Sequence, residues 1–121
     1  MKHIHLSIPG TTSAVKHYVI PPSGCRIVGV KAVVNSTQTA GTASVKIGKA
    51  GATNVLYTAD LGTTGANGIG KIAKGVLNAS ATDAERKQVF DNSVAIEITA
   101  QLVVAGQIGI IVAIDEYCAT I

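Results

Sequence analysis

Residues 94–117 read VAIEITAQLVVAGQIGIIVAIDEY, two apolar runs joined at Gly106. In the first run Val94, Ile96, Ile98 and Ala100 alternate with Ala95, Glu97 and Thr99. In the second, Ile108, Ile110, Val112 and Ile114 alternate with Gly109, Ile111 and Ala113. A repeat of two puts each set on one face of a pleated strand, where it can enter a core. The outer faces are unusual, because Ala95, Val103, Ile111 and Ala113 join Glu97 and Thr99 on the side left to solvent. Val103, Ile111 and Ala113 are therefore candidate interface residues. Joined as a hairpin, the two strands would oppose Leu102 and Val104 to Ile110 and Ile108 around a three-residue Ala105-Gly106-Gln107 loop. A two-residue turn would instead set Asp115 opposite Ile98 and bury an unpaired carboxylate.

The upstream chain continues in the same style. Ile4, Leu6 and Ile8 alternate with His3, His5 and Ser7, predicting a strand over 2–8 that ends at Pro9-Gly10. A second strand over 14–20 stops at Pro21-Pro22-Ser23-Gly24, although Lys16 falls in register with Tyr18 and Ile20. Residues 26–34 form a third, with Val28, Val30, Ala32 and Val34 on one face. Residues 35–41 read as a turn. Residues 43–48 turn Val45 and Ile47 inward, and residues 55–61 align Val55, Tyr57, Ala59 and Leu61. Glycines and polar residues at 62–70 predict a long loop, and 71–78 resume as a strand. Thr82-Asp83-Ala84-Glu85 has the form of a capping box, with Arg86-Lys87 in the last turn, predicting a short helix near residues 83–89. Seven or eight short strands with at most one short helix describe an all-β fold, a single antiparallel β-sandwich domain spanning residues 1–121.

Composition narrows the function classes. Charged residues make up 14% of the 121, few for the surface of a monomer and suited to burial in an assembly. The net charge of +3 is uneven: residues 1–74 set eight Lys/Arg against Asp60, net +7, and residues 75–121 set two against six acids, net −4. The lysines are scattered and only Tyr18, Tyr57, Phe90 and Tyr117 could stack bases, so no nucleic acid partner is expected. The N-terminal residues lack the continuous apolar run of a secretory signal. The apolar window 102–114 is short and interrupted by Gly106 and Gln107, so no membrane partner is expected either. Cys25 and Cys118 fit no metal or redox spacing and read as reduced thiols.

Two constellations come close to a chemistry. The segment 65–71, Gly-Ala-Asn-Gly-Ile-Gly-Lys, has P-loop spacing, but Ile72 stands where a hydroxyl would hold magnesium. Gly68, Gly70 and Ala73 also match a dinucleotide fingerprint. Both motifs require a helix opening at the last glycine, and Gly75 follows too soon. His3 and His5 point the same way on a strand, and His17 would join them if residues 8 and 14 paired across a hairpin. Three such imidazoles could hold a transition metal; solvated edge histidines are the plainer reading. Asp115 and Glu116 point to opposite faces and make no acid/base pair, and no nucleophile has a base partner. The expectation is a non-enzymatic protein with no catalytic residues, no metal and no cofactor.

Across nearly its full length the chain resembles the small β-sandwich proteins that decorate or cement tailed-bacteriophage capsids. The resemblance rests on the N-terminal strand, the Val/Ala/Thr/Gly strands and the ending Ala105-Gly-Gln-Ile-Gly-Ile-Ile-Val-Ala-Ile-Asp-Glu-Tyr117. It implies a jelly-roll-like fold, a homotrimer, the major capsid protein of a virus particle as partner, and a place on the virion surface after synthesis in the host cytoplasm. The alternative is a ligand-binding sandwich such as a carbohydrate-binding module or adhesin tip. Such modules present aromatic platforms to sugars, and this chain has no Trp and no cluster of Tyr.

Overall fold

The computed structural model describes residues 2–21, 24–36, 38, 43–51, 55–61, 72–91 and 93–116. These form strands β1 (Lys2–Gly10), β2 (Val15–Val19), β3 (Cys25–Val34), β4 (Ser44–Lys49), β5 (Tyr57–Asp60), β6 (Ile72–Leu77), β7 (Ile96–Gln101) and β8 (Gly106–Glu116). One helical turn, α1 (Asp83–Arg86), lies between β6 and β7. Hydrogen bonds link the strands in the order β1-β8-β3-β6-β5-β4-β7-β2, all antiparallel. The pairs 1·8, 2·7, 3·6 and 4·5 are those of a long two-stranded ribbon rolled on itself, the jelly-roll pairing. The fold is all-β, one continuous eight-stranded sheet whose halves form two leaves, β1, β8, β3 and β6 and then β2, β7, β4 and β5, joined where β6 pairs with both β3 and β5.

The hairpin expected within 94–117 does not form. β7 pairs with β2 and β4, and β8 pairs with β1 and β3, so the two runs belong to different leaves. A repeat of two fixes which side chains are buried but not which strand lies alongside, and both arrangements bury the same rows. Ile96, Ile98 and Ala100 from β7, and Ile108, Ile110, Val112 and Ile114 from β8, all lie in the core. Leu102 is buried as expected, whereas Val104 is 42% exposed because it lies on the crossing between leaves. Asp115 opposes Arg26 rather than Ile98.

The β1–β2 hairpin is absent for the same reason. Gly10 pairs with Gly106, Leu102 N–H donates to Thr11 C=O at 2.8 Å, and Val15 pairs with Ala100. The β1→β2 and β7→β8 crossings thus run side by side over one corner of the roll. β1 extends through Pro9, which an edge strand tolerates because it needs no inward N–H.

Gln38 holds that corner. It lies in the stretch read from sequence as a turn, yet it is 1% exposed. Its amide oxygen accepts from Val103 N–H at 2.8 Å and Val104 N–H at 3.0 Å. Its amide nitrogen donates to Val104 C=O and to Ser36 Oγ, both at 2.9 Å. These bonds satisfy backbone groups that lie on the crossing, outside any strand ladder.

Two strands change face or partner midway. In β3, Cys25 and Ile27 are buried, a bulge follows between Ile27 and Gly29, and burial resumes at Val30, Ala32 and Val34. The single face expected to run through Val28 is therefore broken, and Val28 is exposed. β6 pairs with β3 at Ala73 and Lys74, then with β5 from Gly75 to Leu77. A Cβ at Gly75 would lie 2.9 Å from Val30 Cβ and 3.2 Å from Val30 C=O, so only glycine lets β6 cross this closely.

In and beside β5, Leu56, Ala59 and Leu61 are buried and Tyr57 is half-buried, so the strict alternation expected from Val55 does not hold. The helix is shorter than expected. Thr82 and Glu85 make the full capping box, but α1 has no buried residue to extend it. The chain is drawn off to a bridge in which Cys25 and Phe90 exchange backbone hydrogen bonds of 2.9 and 2.8 Å.

Candidate functional site on the outer face

The two leaves present different exteriors. On the second leaf, the outward row Lys16, Thr99, Lys46 and Thr58 is polar, and Lys16 lies 3.9 Å from Glu97. On the first leaf, strand register sets His5, Ile111, Lys31 and Lys74 in one row and His3, Ala113 and Gly29 in the next. Ile111 and Ala113, expected at an interface, thus stand together at the centre of this face. Val103 does not join them. It lies at the corner, half-buried against the core, with its N–H bound to Gln38.

A groove of about 420 Å³ opens on this face where β6 leaves β3 for β5. Its wall and floor include Val28, Gly29, Ala113 and Leu77, with Tyr57 at the side where β5 begins. The bulge in β3 and the bend of β6 at Gly75 create it, and neither leaves a mark in the apolar repeat. Beyond the His5–Ile111–Lys31 row lies a smaller hollow of about 200 Å³ beside Gly109. Lys31 and Lys74 are direct cross-strand neighbours. Among the described residues neither ammonium has an acidic partner, and no acid lines the groove. Burial raises the Tyr57 phenol above its ordinary value of 10.0, so it stays protonated.

The other sequence candidates separate. His3 and His5 lie together on β1, ring centroids 6.3 Å apart. His17 pairs with Ile98 on the opposite edge strand and faces inward between Val15 and Val19, its Nε2 buried without a partner among the described residues. The three imidazoles are not brought together, and among the described residues no group of three His, Cys, Asp or Glu is placed to hold a metal. The glycine-rich segment 62–71 and Cys118 lie outside the described residues. Residues 72–77 are strand, where both nucleotide motifs need a helix. Cys25 is fully buried at the start of β3. Among the described residues no helix is long and apolar enough to cross a membrane.

No protein-family model matches this chain, and comparison with curated proteins and with solved structures finds none similar to it.

Proposed function

We propose that this protein is a non-enzymatic structural component of a virus particle, binding the outside of a capsid shell as a homotrimer and stabilising it. The observation that carries the reading is the contrast between the two outer faces. The outward row of the second leaf is polar from Lys16 to Thr58, and apolar Tyr18 and Val76 are exposed singly toward its edges, whereas the first leaf sets half-buried Ile111 and Ala113 among glycines at its centre. An apolar centre with a polar rim is how a protein contact surface is built. The low charge of the whole chain and the jelly-roll pairing agree with a role between subunits. The partners are further copies of the chain and the major capsid protein, with neither nucleic acid nor membrane engaged.

Sedimentation of the isolated protein, followed by co-sedimentation with assembled tailed-phage shells, tests the reading. A trimer that pellets with shells is the expected result. A monomer at high concentration that leaves shells bare would contradict it. The groove beside Lys31 favours a second reading, a ligand-binding sandwich. Its lining contains Tyr57 but no stacked aromatic platform, which suits a small apolar ligand better than a sugar.

A further inference from the structure

The groove on the first leaf combines three features. Its floor, from Val28 through Gly29 to Ala113, is apolar. Its volume of about 420 Å³ is that of a small-molecule site. At its end, Lys31 and Lys74 oppose each other on paired strands, with His5 in the same row beyond Ile111. Like charges directly opposed across a sheet destabilise it, and here no acid relieves them among the described residues. A sequence that keeps such a pair beside an apolar recess breaks a local rule where an anion would repair it. The same charges disfavour an isologous contact, which would bring four lysines together.

We propose that the groove binds a small organic carboxylate with an apolar body. The carboxylate sits between the Lys31 and Lys74 ammonium groups, and the body lies over Gly29 and Ala113. Binding converts a repulsive pair into two charge-assisted hydrogen bonds, while the floor removes the apolar body from water. Neither half of the ligand suffices: a bare anion leaves the floor wet, and an uncharged chain leaves the lysines opposed. The groove shares Ile111 and Ala113 with the contact face proposed above, so ligand and assembly compete for them, and sedimentation at the titration concentration separates the two effects. A failed titration leaves the oligomer reading intact, and a monomeric mass leaves the groove open.

The experiment is isothermal titration of octanoate into the full chain, with octanol and inorganic phosphate as comparators. Octanoate should bind at one site per chain, and the two comparators about tenfold more weakly or not at all. Lys31→Gln and Lys74→Gln should each weaken octanoate by about tenfold, the loss expected for one hydrogen bond to a charged group. Both variants should melt no lower than the parent, because the like-charge pair is gone. Gly29→Val, whose nearest neighbour to a new Cβ is Ala113 Cβ at 3.8 Å, should fill the floor and abolish binding without changing charge. Octanoate that binds no better than phosphate or octanol, or equally well to both lysine variants, would overturn the proposal.

Discussion

Gln38 shows how one side chain can hold a corner of a fold. Five hydrogen bonds, two accepted and three donated, occupy the amide of a side chain that is itself buried. Gln38→Ala would take the hydrogen-bond acceptor away from the part-buried Val103 and Val104 N–H groups. Each such group costs about 1–3 kcal/mol, so denaturant unfolding should show a loss of roughly 2–4 kcal/mol. A loss within experimental error would mean that solvent satisfies the crossing. Nothing in the sequence marked this residue, since a glutamine in a polar stretch looks the same exposed or buried. The Tyr57 phenol allows a second prediction. Burial raises its pKa above 10.0, so the folded state holds the proton more tightly than the unfolded chain. Its contribution to stability is thus complete below pH 10 and is lost as pH rises through the folded value. Tyrosinate absorbance, taken as the difference between the parent and Tyr57→Phe, should rise at higher pH in the native protein than in denaturant. Coincident curves would show that the phenol is solvated.

At the scale of elements, burial was far more legible than partnership. The repeat of two in β7 and β8 identified every buried isoleucine of those strands, because alternation is a property of one chain segment. It said nothing of neighbours, so a closing hairpin was expected where the ribbon runs β1·β8 into β2·β7. Interruptions were equally hidden. Val28 continues an unbroken apolar alternation, and only the bulge turns it outward. The helix was visible through its capping box but not its length, which the Cys25–Phe90 bridge limits. The exchange of partners in β6 depends on Gly75. Gly75→Ala should force the new Cβ against Val30 and destabilise the protein by about 1–3 kcal/mol, the usual cost of overpacking. Thermal melting checks it, with Gly29→Ala, which has room for its Cβ, as the mild control. Equal melting of the two variants would show that β6 shifts freely and that its close crossing of β3 is not required.

For the whole molecule, the rolled ribbon decides which surfaces exist. It gathers His3 and His5 from the first strand, Ile111 and Ala113 from the last, and Lys31 and Lys74 from the middle onto one face. It sends His17, once grouped with the other histidines, to the opposite edge. Part of the candidate site was thus legible: the outward Ile111 and Ala113 follow from alternation alone. Val103 was misplaced with them because the crossing after Gln101 ends the strand. The groove was not legible at all, since it needs three strands meeting at a bend. The assembly account rests on the difference between two adjacent residues of β8. Ile110 is buried in the core and Ile111 lies on the outer face. Sedimentation velocity on the parent, Ile110→Asp and Ile111→Asp, with circular dichroism on each, tests it most directly. The account predicts an oligomeric parent, an unfolded Ile110→Asp, and an Ile111→Asp that keeps its strand signal but sediments as a monomer. A parent that is already monomeric, or an Ile111→Asp that remains oligomeric, would contradict it.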